Sequence, residues 1–392
     1  MKIKVIDIDY KGNGIARENG KVIFIPKTIP GDEVVVEISK EHKKYDEGRL
    51  VELVASSKDR NLVNCRYYQV CGGCNISNLN YQDQLEYKKN KVINIFKRYI
   101  DMEINPEIIG SMKEFGYRNK ITYHKKDFLG LVSIDNQVID ILECKLVSER
   151  VNELFRLIKR EDISLVNEIT IRECQNGLIL SVNGQIDIKN LKDNCIMIYV
   201  NNQVVFERER PYLMIGDIKY FVSEKAFFQV NTANIKNLYD IVVKYGEFNQ
   251  NDRVIDLYCG VGSISLYIAK YVNSVLGIEI VEEAIRDARE NALVNGIMNA
   301  DFRCGAVGIL IDECRQYDKV IVDPPRAGLD QHTVSILNSS LVERIVYVSC
   351  DPMTLVRDIK LLDNYQVTDI TLVDMFPQTH HVESVILLQR KK

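Results

Sequence analysis

From about residue 233 to residue 349 the chain alternates helical and extended patterns. Helical periodicity at 233–246 gives way to an apolar run at 253–258, and the alternation continues through 263–271, 274–279, 281–295, 319–323, 330–338 and 344–349. Strands separated by helical crossovers pair in parallel, and a parallel sheet must be covered on both faces. The pattern predicts an α/β fold, a doubly wound Rossmann-like domain over 226–392, with 365–373 and 382–390 as two sheet-edge strands. Ligands of such sheets bind outside the carboxyl ends of the strands, so the residues that close each strand carry the candidate chemistry.

The rest of the 392-residue chain is long enough for two further domains. Residues 1–57 alternate short apolar runs, such as Val22-Ile23-Phe24-Ile25 and Val34-Val35-Val36, with the turn signals Gly12-Asn13-Gly14, Asn19-Gly20 and Pro30-Gly31-Asp32. This predicts a small antiparallel barrel. Residues 58–225 form a β-rich central domain, opened by a helix from Tyr81 to about Ile100 with Leu85, Val92, Ile93 and Phe96 on one side, and holding another helix near 147–159. Net charge is −4, which argues against charge-driven binding of nucleic acid but leaves room for a local basic face. No apolar run approaches a membrane span and the start has no signal-peptide core, so a cytoplasmic protein, expected to be a monomer, is the reading.

The run Val254-Ile255-Asp256-Leu257 passes into Tyr258-Cys259-Gly260-Val261-Gly262-Ser263 and then a helix. Gly260 and Gly262 at a strand-to-helix turn let a ligand approach the backbone, although a tight turn with no ligand carries the same glycines. Glu279 closes the next strand, where a carboxylate can accept both ribose hydroxyls of a nucleoside. Ser265 stands where a dinucleotide fingerprint has its third small residue, which weakens a nicotinamide reading. The segment Asp256–Gly262 resembles the first motif of S-adenosylmethionine-dependent methyltransferases. Strand 319–323 ends in Asp323-Pro324-Pro325-Arg326, a motif similar to that of amine methyltransferases acting on nucleobases, which leaves carbon and nitrogen both open as the methylated atom.

Ser349-Cys350-Asp351-Pro352 closes strand 344–349. Most lone cysteines at strand ends are buried structural thiols. Here Pro352 fits a first helical turn, and a helix N-terminus behind Cys350 is expected to favour the thiolate. A thiolate suits one reaction. Added to carbon 6 of uracil, it makes carbon 5 an enolate nucleophile toward a methyl sulfonium; a base then takes the carbon-5 proton and the thiolate leaves. His380-His381-Val382-Glu383 opens the last strand. Glu383 is the expected base and His381 the second choice, with His380 read as a surface turn.

Taken in order, Phe227-Phe228-Gln229-Val230-Asn231, Asp256–Gly262, Asp323-Pro324-Pro325-Arg326, Ser349-Cys350-Asp351-Pro352 and His381-Val382-Glu383 resemble the RNA (uracil-5-)-methyltransferase family, in particular its bacterial 23S ribosomal RNA branch. The resemblance implies that Gln229, Tyr258, Glu279 and Asp323 hold S-adenosyl-L-methionine or the reacting centre. It further implies that Phe227 stacks on the flipped base, that Asp323 also meets the uracil edge, and that Cys350 and Glu383 are nucleophile and base. Phe228 is expected in the core. The barrel at 1–57 resembles a TRAM domain, an OB-like RNA-binding module.

Cys65-x5-Cys71-Gly72-Gly73-Cys74, with Cys144 far downstream, contains one C-x2-C, whereas structural zinc sites usually show two. Four thiolates can hold a [4Fe–4S] cluster, and the same pattern and placement occur in the ribosomal RNA branch. Zinc remains the alternative. Cys174, Cys195, Cys259, Cys304 and Cys314 show no such pattern and are read as small apolar residues. For the RNA partner, Phe115-Gly116-Tyr117-Arg118-Asn119-Lys120 and Tyr123-His124-Lys125-Lys126 mix cations with aromatics, making Arg118, Lys120 and Lys125 candidate contacts, although a solvated strand face reads equally well. Competing functions are a nucleobase amine methyltransferase using Asp323-Pro324-Pro325, and a non-catalytic RNA-binding iron–sulfur protein.

Overall fold

The computed structural model describes residues 1–224, 226–311 and 316–392. The N-terminal six-stranded sheet follows the order Lys2–Lys4, Glu33–Glu41, Tyr45–Ala55, Lys21–Ile25, Gly14–Glu18, Asp7–Ile8. Alternation places Ile23, Ile25, Val34 and Val36 inside. The Asn19-Gly20 turn has positive φ at both residues, +49° and +79°, the hairpin geometry that matches strand twist.

The central sheet orders its strands Val138–Asp140, Leu129–Val132, Lys120–Lys125, Val166–Glu173, Leu178–Gly184, Met197–Val200, Gln203–Glu207. The helix Glu149–Ile158, N-capped by Ser148, lays Val151, Leu154, Phe155 and Ile158 on it. On Lys120–Lys125 the inward positions are Ile121 and Tyr123. Tyr123 stacks on Phe155 with centroids 3.8 Å apart. Tyr117 is also buried, its hydroxyl donating to the Pro377 carbonyl at 3.0 Å. Both tyrosines of the aromatic–cation segments are thus core residues, Tyr123 because the strand's two-residue period turns it inward and Tyr117 in the loop before it, and Phe115 keeps the exposed role.

The third sheet has eight strands in the order Ala300–Cys304, Ser274–Glu279, Arg253–Leu257, Lys319–Val322, Arg344–Ser349, Glu383–Arg390, Tyr365–Val373, Glu107–Ile109. The first five run parallel, with helices between them as the alternation requires. Glu383–Arg390 is antiparallel to both its neighbours and lies inside the sheet. The expectation that 365–373 and 382–390 form the edge is corrected: Glu107–Ile109 pairs in parallel outside Tyr365–Val373 and is the edge strand. The helix Tyr81–Ile100 joins this sheet too, for Val92, Ile95 and Phe96 share a core with Ile255, Leu257 and Ile345. No helix among the described residues is long and apolar enough to cross a membrane.

Candidate active site

Arg253–Leu257 ends in three positive-φ residues, Tyr258 (+66°), Gly260 (+55°) and Gly262 (+75°). The two glycines do different work. A Cβ on Gly262 would sit 2.7 Å from the Phe302 ring, so this position packs against the sheet. A Cβ on Gly260 would meet nothing within 4 Å, so its missing side chain leaves open space at the strand end. Tyr258 accepts the strain of a left-handed backbone without being glycine, the mark of a site held in place by its surroundings; burial pushes its hydroxyl up to about 12. Glu279 accepts from the Gly260 amide at 3.2 Å and the Val281 amide at 2.9 Å. A carboxylate has about four acceptor positions, so two are left for ligand hydroxyls. The arrangement fits a nucleoside without a pyrophosphate.

Next along the edge, Asp323 closes Lys319–Val322, and Asp256 lies beneath it with Ser265 Oγ donating at 2.6 Å. Burial pushes both carboxyls up to about 7, with the charge of Asp256 adding at Asp323 and that of Glu279 adding at Asp256. Cys350 and Glu383 come together through strand register. Ser349 pairs with Ser384 across the antiparallel rung, Cys350 follows the one and Glu383 precedes the other, and both sit one residue past that rung at the same end. Glu383 is 3% exposed. Burial, with Asp323 adding repulsion and Arg326 partly offsetting it, raises its carboxyl to about 8.

The Cys350 thiol is pushed up to about 12, first by burial and then by Glu383 and Asp323, with Arg326 opposing. This upward shift runs against the thiolate expected from the following helix. The helix Pro352–Leu361 does start there, but the Asp351 carboxylate caps it, accepting from the Met353 and Thr354 amides, so those N–H groups are already matched by a negative charge. His381 is half-buried and lowered to about 4, and His380 to about 3, in both cases chiefly by burial. His380 is no surface turn: its Nδ1 lies 2.8 Å from Asn75 Oδ1.

Phe227 is 66% exposed, whereas Phe228 is core. Gln229 is buried beside them, and the segment is held by Asn119, which donates to the Gln229 carbonyl at 3.0 Å, and by buried Arg172, which donates to the Ala226 carbonyl at 2.8 Å. Phe227 faces a cavity of about 770 Å³ shared with Phe115, Arg118, Lys120 and all four cysteines of the cluster motif. Lys125 is not on it and folds back on the carbonyls of Lys126 and Asp127. Cys65, Cys71, Cys74 and Cys144 are close enough for their charges to interact, and burial raises Cys74 to about 12 and Cys144 to about 11. Among the described residues no group of three or more His, Cys, Asp or Glu side chains is placed to hold a metal ion. Cys174, Cys195 and Cys259 are buried as expected, Cys304 is exposed at a sheet-edge strand, and Cys314 lies outside the described residues.

Sequence reasoning quoted Arg326 within its motif without giving it a role, and missed Arg172 and Lys88. Lys88 could have been noticed, because it interrupts the apolar stripe of Leu85, Val92 and Phe96, where a lysine needs a buried partner; it has one in Asp374 at 2.6 Å, both side chains fully buried.

Residues 163–306 and 303–391 match the model of the tRNA (Uracil-5-)-methyltransferase family, and residues 1–51 match the TRAM domain. The chain is 32% identical to an uncharacterized RNA methyltransferase of Bacillus cereus over 98% of its own length and 95% of the relative's, and 32% identical to another of Clostridium acetobutylicum over 99% and 96%. In structure it is similar to the Pyrococcus abyssi tRNA (uracil-54, C5)-methyltransferase, crystallised with S-adenosyl-L-homocysteine, with a TM-score of 0.79 and 30% identity over 99% of this chain and 100% of that one. The sheet-edge geometry and these likenesses lead to one assignment: this chain belongs to the tRNA (uracil-5-)-methyltransferase family and carries a TRAM domain at its N-terminal end.

Proposed function

We propose that this protein methylates carbon 5 of a uridine in RNA, with S-adenosyl-L-methionine as methyl donor, Cys350 as nucleophile and Glu383 as base. The observation that carries the reading is the pairing of a thiol with a buried, weakly acidic carboxyl one residue beyond the Ser349–Ser384 rung. Cys350 Sγ adds to carbon 6, forming an S–C bond and moving the ring electrons toward carbon 5. Carbon 5 takes the methyl group from the sulfonium, which leaves as neutral S-adenosylhomocysteine. Glu383 removes the carbon-5 proton, and the electrons of that C–H bond re-form the ring double bond as Cys350 departs. A carboxyl near 8 is a stronger base than an ordinary glutamate once ionised. Arg326 is the cation that favours the thiolate.

Gly260, Gly262 and Glu279, with Tyr258, Gln229 and Asp323, hold the donor in this reading, and open space over Gly260 supports it. Phe227 stacks on the extruded base, since carbon 6 must be open to the thiol; its exposure on the cavity with Arg118 and Lys120 supports this. Lys125 has the weaker claim to an RNA contact. The substrate we propose is a uridine of 23S ribosomal RNA. The transfer-RNA T-loop is the second reading, favoured by the named activity of the Pyrococcus neighbour. For Cys65, Cys71, Cys74 and Cys144 the ligand we propose is a [4Fe–4S] cluster, with zinc the alternative; their place on one cavity supports a common ligand set. Methyl transfer moves no net electrons, so the cluster's contribution would be to brace the loops that meet RNA.

The test is RNA containing 5-fluorouridine, presented with S-adenosyl-L-methionine. Fluorine cannot leave as a proton, so a denaturation-stable, methylated protein–RNA adduct is expected, and Cys350→Ala should abolish it. Absence of adduct with an RNA that the enzyme methylates when unfluorinated would sink the mechanism. Mapping 5-methyluridine in ribosomal and transfer RNA of a deletion strain decides the substrate. Iron analysis of anaerobically purified protein decides the cluster: a colourless, active, zinc-loaded protein would overturn it.

A further inference from the structure

The connection between the last two strands, residues 374–382, delivers Glu383 to the site, and its polar groups are taken up by one helix far away in sequence. Tyr81, Gln84, Lys88 and Lys91, spaced three and four apart on Tyr81–Ile100, share one face. Lys88 Nζ donates to Asp374 Oδ1 at 2.6 Å and to the Phe376 carbonyl at 3.0 Å. Tyr81 donates to Asp374 Oδ2 at 3.0 Å. Gln84 and Gln378 exchange two hydrogen bonds, side-chain amide to side-chain oxygen at 3.1 Å and Gln378 amide to Gln84 Oε1 at 2.9 Å, which holds Gln378 in a left-handed backbone with φ +70°. Lys91 Nζ donates to the His380 carbonyl at 2.8 Å. The same helix packs against Pro352–Leu361, which begins two residues after Cys350, and Asp351 lies within electrostatic reach of Lys91.

A fully buried lysine–carboxylate pair is a poor way to gain stability, since apolar residues of the same size do as well or better. Its value is geometric: charged hydrogen bonds at fixed angles admit one register where a greasy contact admits several. We infer that this helix face is a clamp that sets where Glu383 stands relative to Cys350, with Lys88 and Lys91 as positioning residues. The inference rests on the reading of Cys350 and Glu383 as nucleophile and base. It locates the alignment of the pair outside the catalytic sheet, in a helix that reaches both catalytic strand ends.

Lys91→Met is the informative variant, because Lys91 is only half-buried and its loss strands no buried carboxylate; Lys88→Met is run beside it, with Glu383→Gln and Lys91→Arg as controls. Two rates are measured at saturating RNA: formation of the 5-fluorouridine adduct, which needs Cys350 and methyl transfer but no base, and turnover on ordinary uridine, which needs the base. A misplacement of Glu383 should leave adduct formation within about threefold and cut turnover by about 10- to 100-fold, with a methylated covalent complex accumulating on uridine RNA. Lys91→Arg, which keeps a donor, should restore turnover. A merely structural lysine would lower the melting temperature and scale both rates together with no trapped complex, and that result overturns the clamp. If Glu383→Gln traps complex and Lys91→Met does not, the clamp alone fails. If Glu383→Gln turns over normally, the base assignment fails and the clamp falls with it.

Discussion

Glu383, Asp323, Asp256 and Cys350 put three carboxyls and a thiol at one sheet edge, with Arg326 the cation that offsets Glu383 and Cys350. Such a site is made at the expense of stability, and the sign can be worked out. Unfolded Glu383 releases its proton near the ordinary value of 4.5, and folded Glu383 keeps it to about 8. Between those values the native state binds more protons than the unfolded one, so stability falls as pH rises from about 4.5 to 8 and levels off above. Gln cannot ionise. Glu383→Gln should therefore raise stability at pH 8.5 by up to about 5 kcal/mol and make little difference near pH 4.5. Urea denaturation at the two pH values checks this; an unchanged midpoint at pH 8.5 would mean the carboxylate is well solvated. Parent turnover should climb through about pH 8 as Glu383 ionises, and the variant should lack that limb.

At the level of elements, the parallel strands and their crossovers were readable because a helix and a buried strand differ in period and length. Gly260, Glu279, Asp323 and Cys350 were readable because they close those strands. The short strand Glu107–Ile109 was not: three residues have no period, and its place is set by pairing with a strand more than 250 residues later. The thiol's high value was hidden for a similar reason, since the burial and the Glu383 charge come from strands distant in sequence. Helix Tyr81–Ile100 was readable as amphipathic, but not that its apolar face belongs to the catalytic sheet. Phe96 is fully buried in that core. Phe96→Ala should cost about 3–5 kcal/mol and destabilise the catalytic sheet itself, visible as earlier thermal loss of methyl-donor binding. Residues 226–392 expressed alone would bare both this face and the edge of Tyr365–Val373, and should aggregate on size-exclusion chromatography; a monodisperse fragment would show the helix to be dispensable.

Across the whole molecule, the cysteine loop is the junction. Lys27 leaves the barrel with a left-handed backbone, φ +63°, and is 3% exposed. Its amine donates to the carbonyls of Cys71, at 2.9 Å, and Cys74, and lies 4.3 Å from the centre of the Tyr68 ring. Burial lowers its proton affinity, and the charges of Cys74, Cys71 and Cys65 act in the opposite direction. On the loop's other side the Asn75 and Ile76 amides donate to the Gln378 carbonyl at 3.1 and 3.3 Å. Barrel, cysteine loop and the approach to Glu383 are thus joined within a few residues. Lys27→Met keeps the stem and removes the charged donor. Charge-assisted hydrogen bonds of this kind contribute about 1.5–3 kcal/mol, so opening of the barrel from the loop should become about tenfold or more frequent while the barrel's own core, which Lys27 does not enter, stays folded. Trypsin cleavage at exposed Lys58 should accelerate to match, and small-angle scattering should show a larger radius. Cys74→Ser should produce the same loosening if the thiolates of a bound cluster are what hold the Lys27 charge in place. If cleavage at Lys58 is unchanged in Lys27→Met, the barrel is held by its apolar contact of Ile29 with Ile76 and Leu79, and the lysine is a passenger.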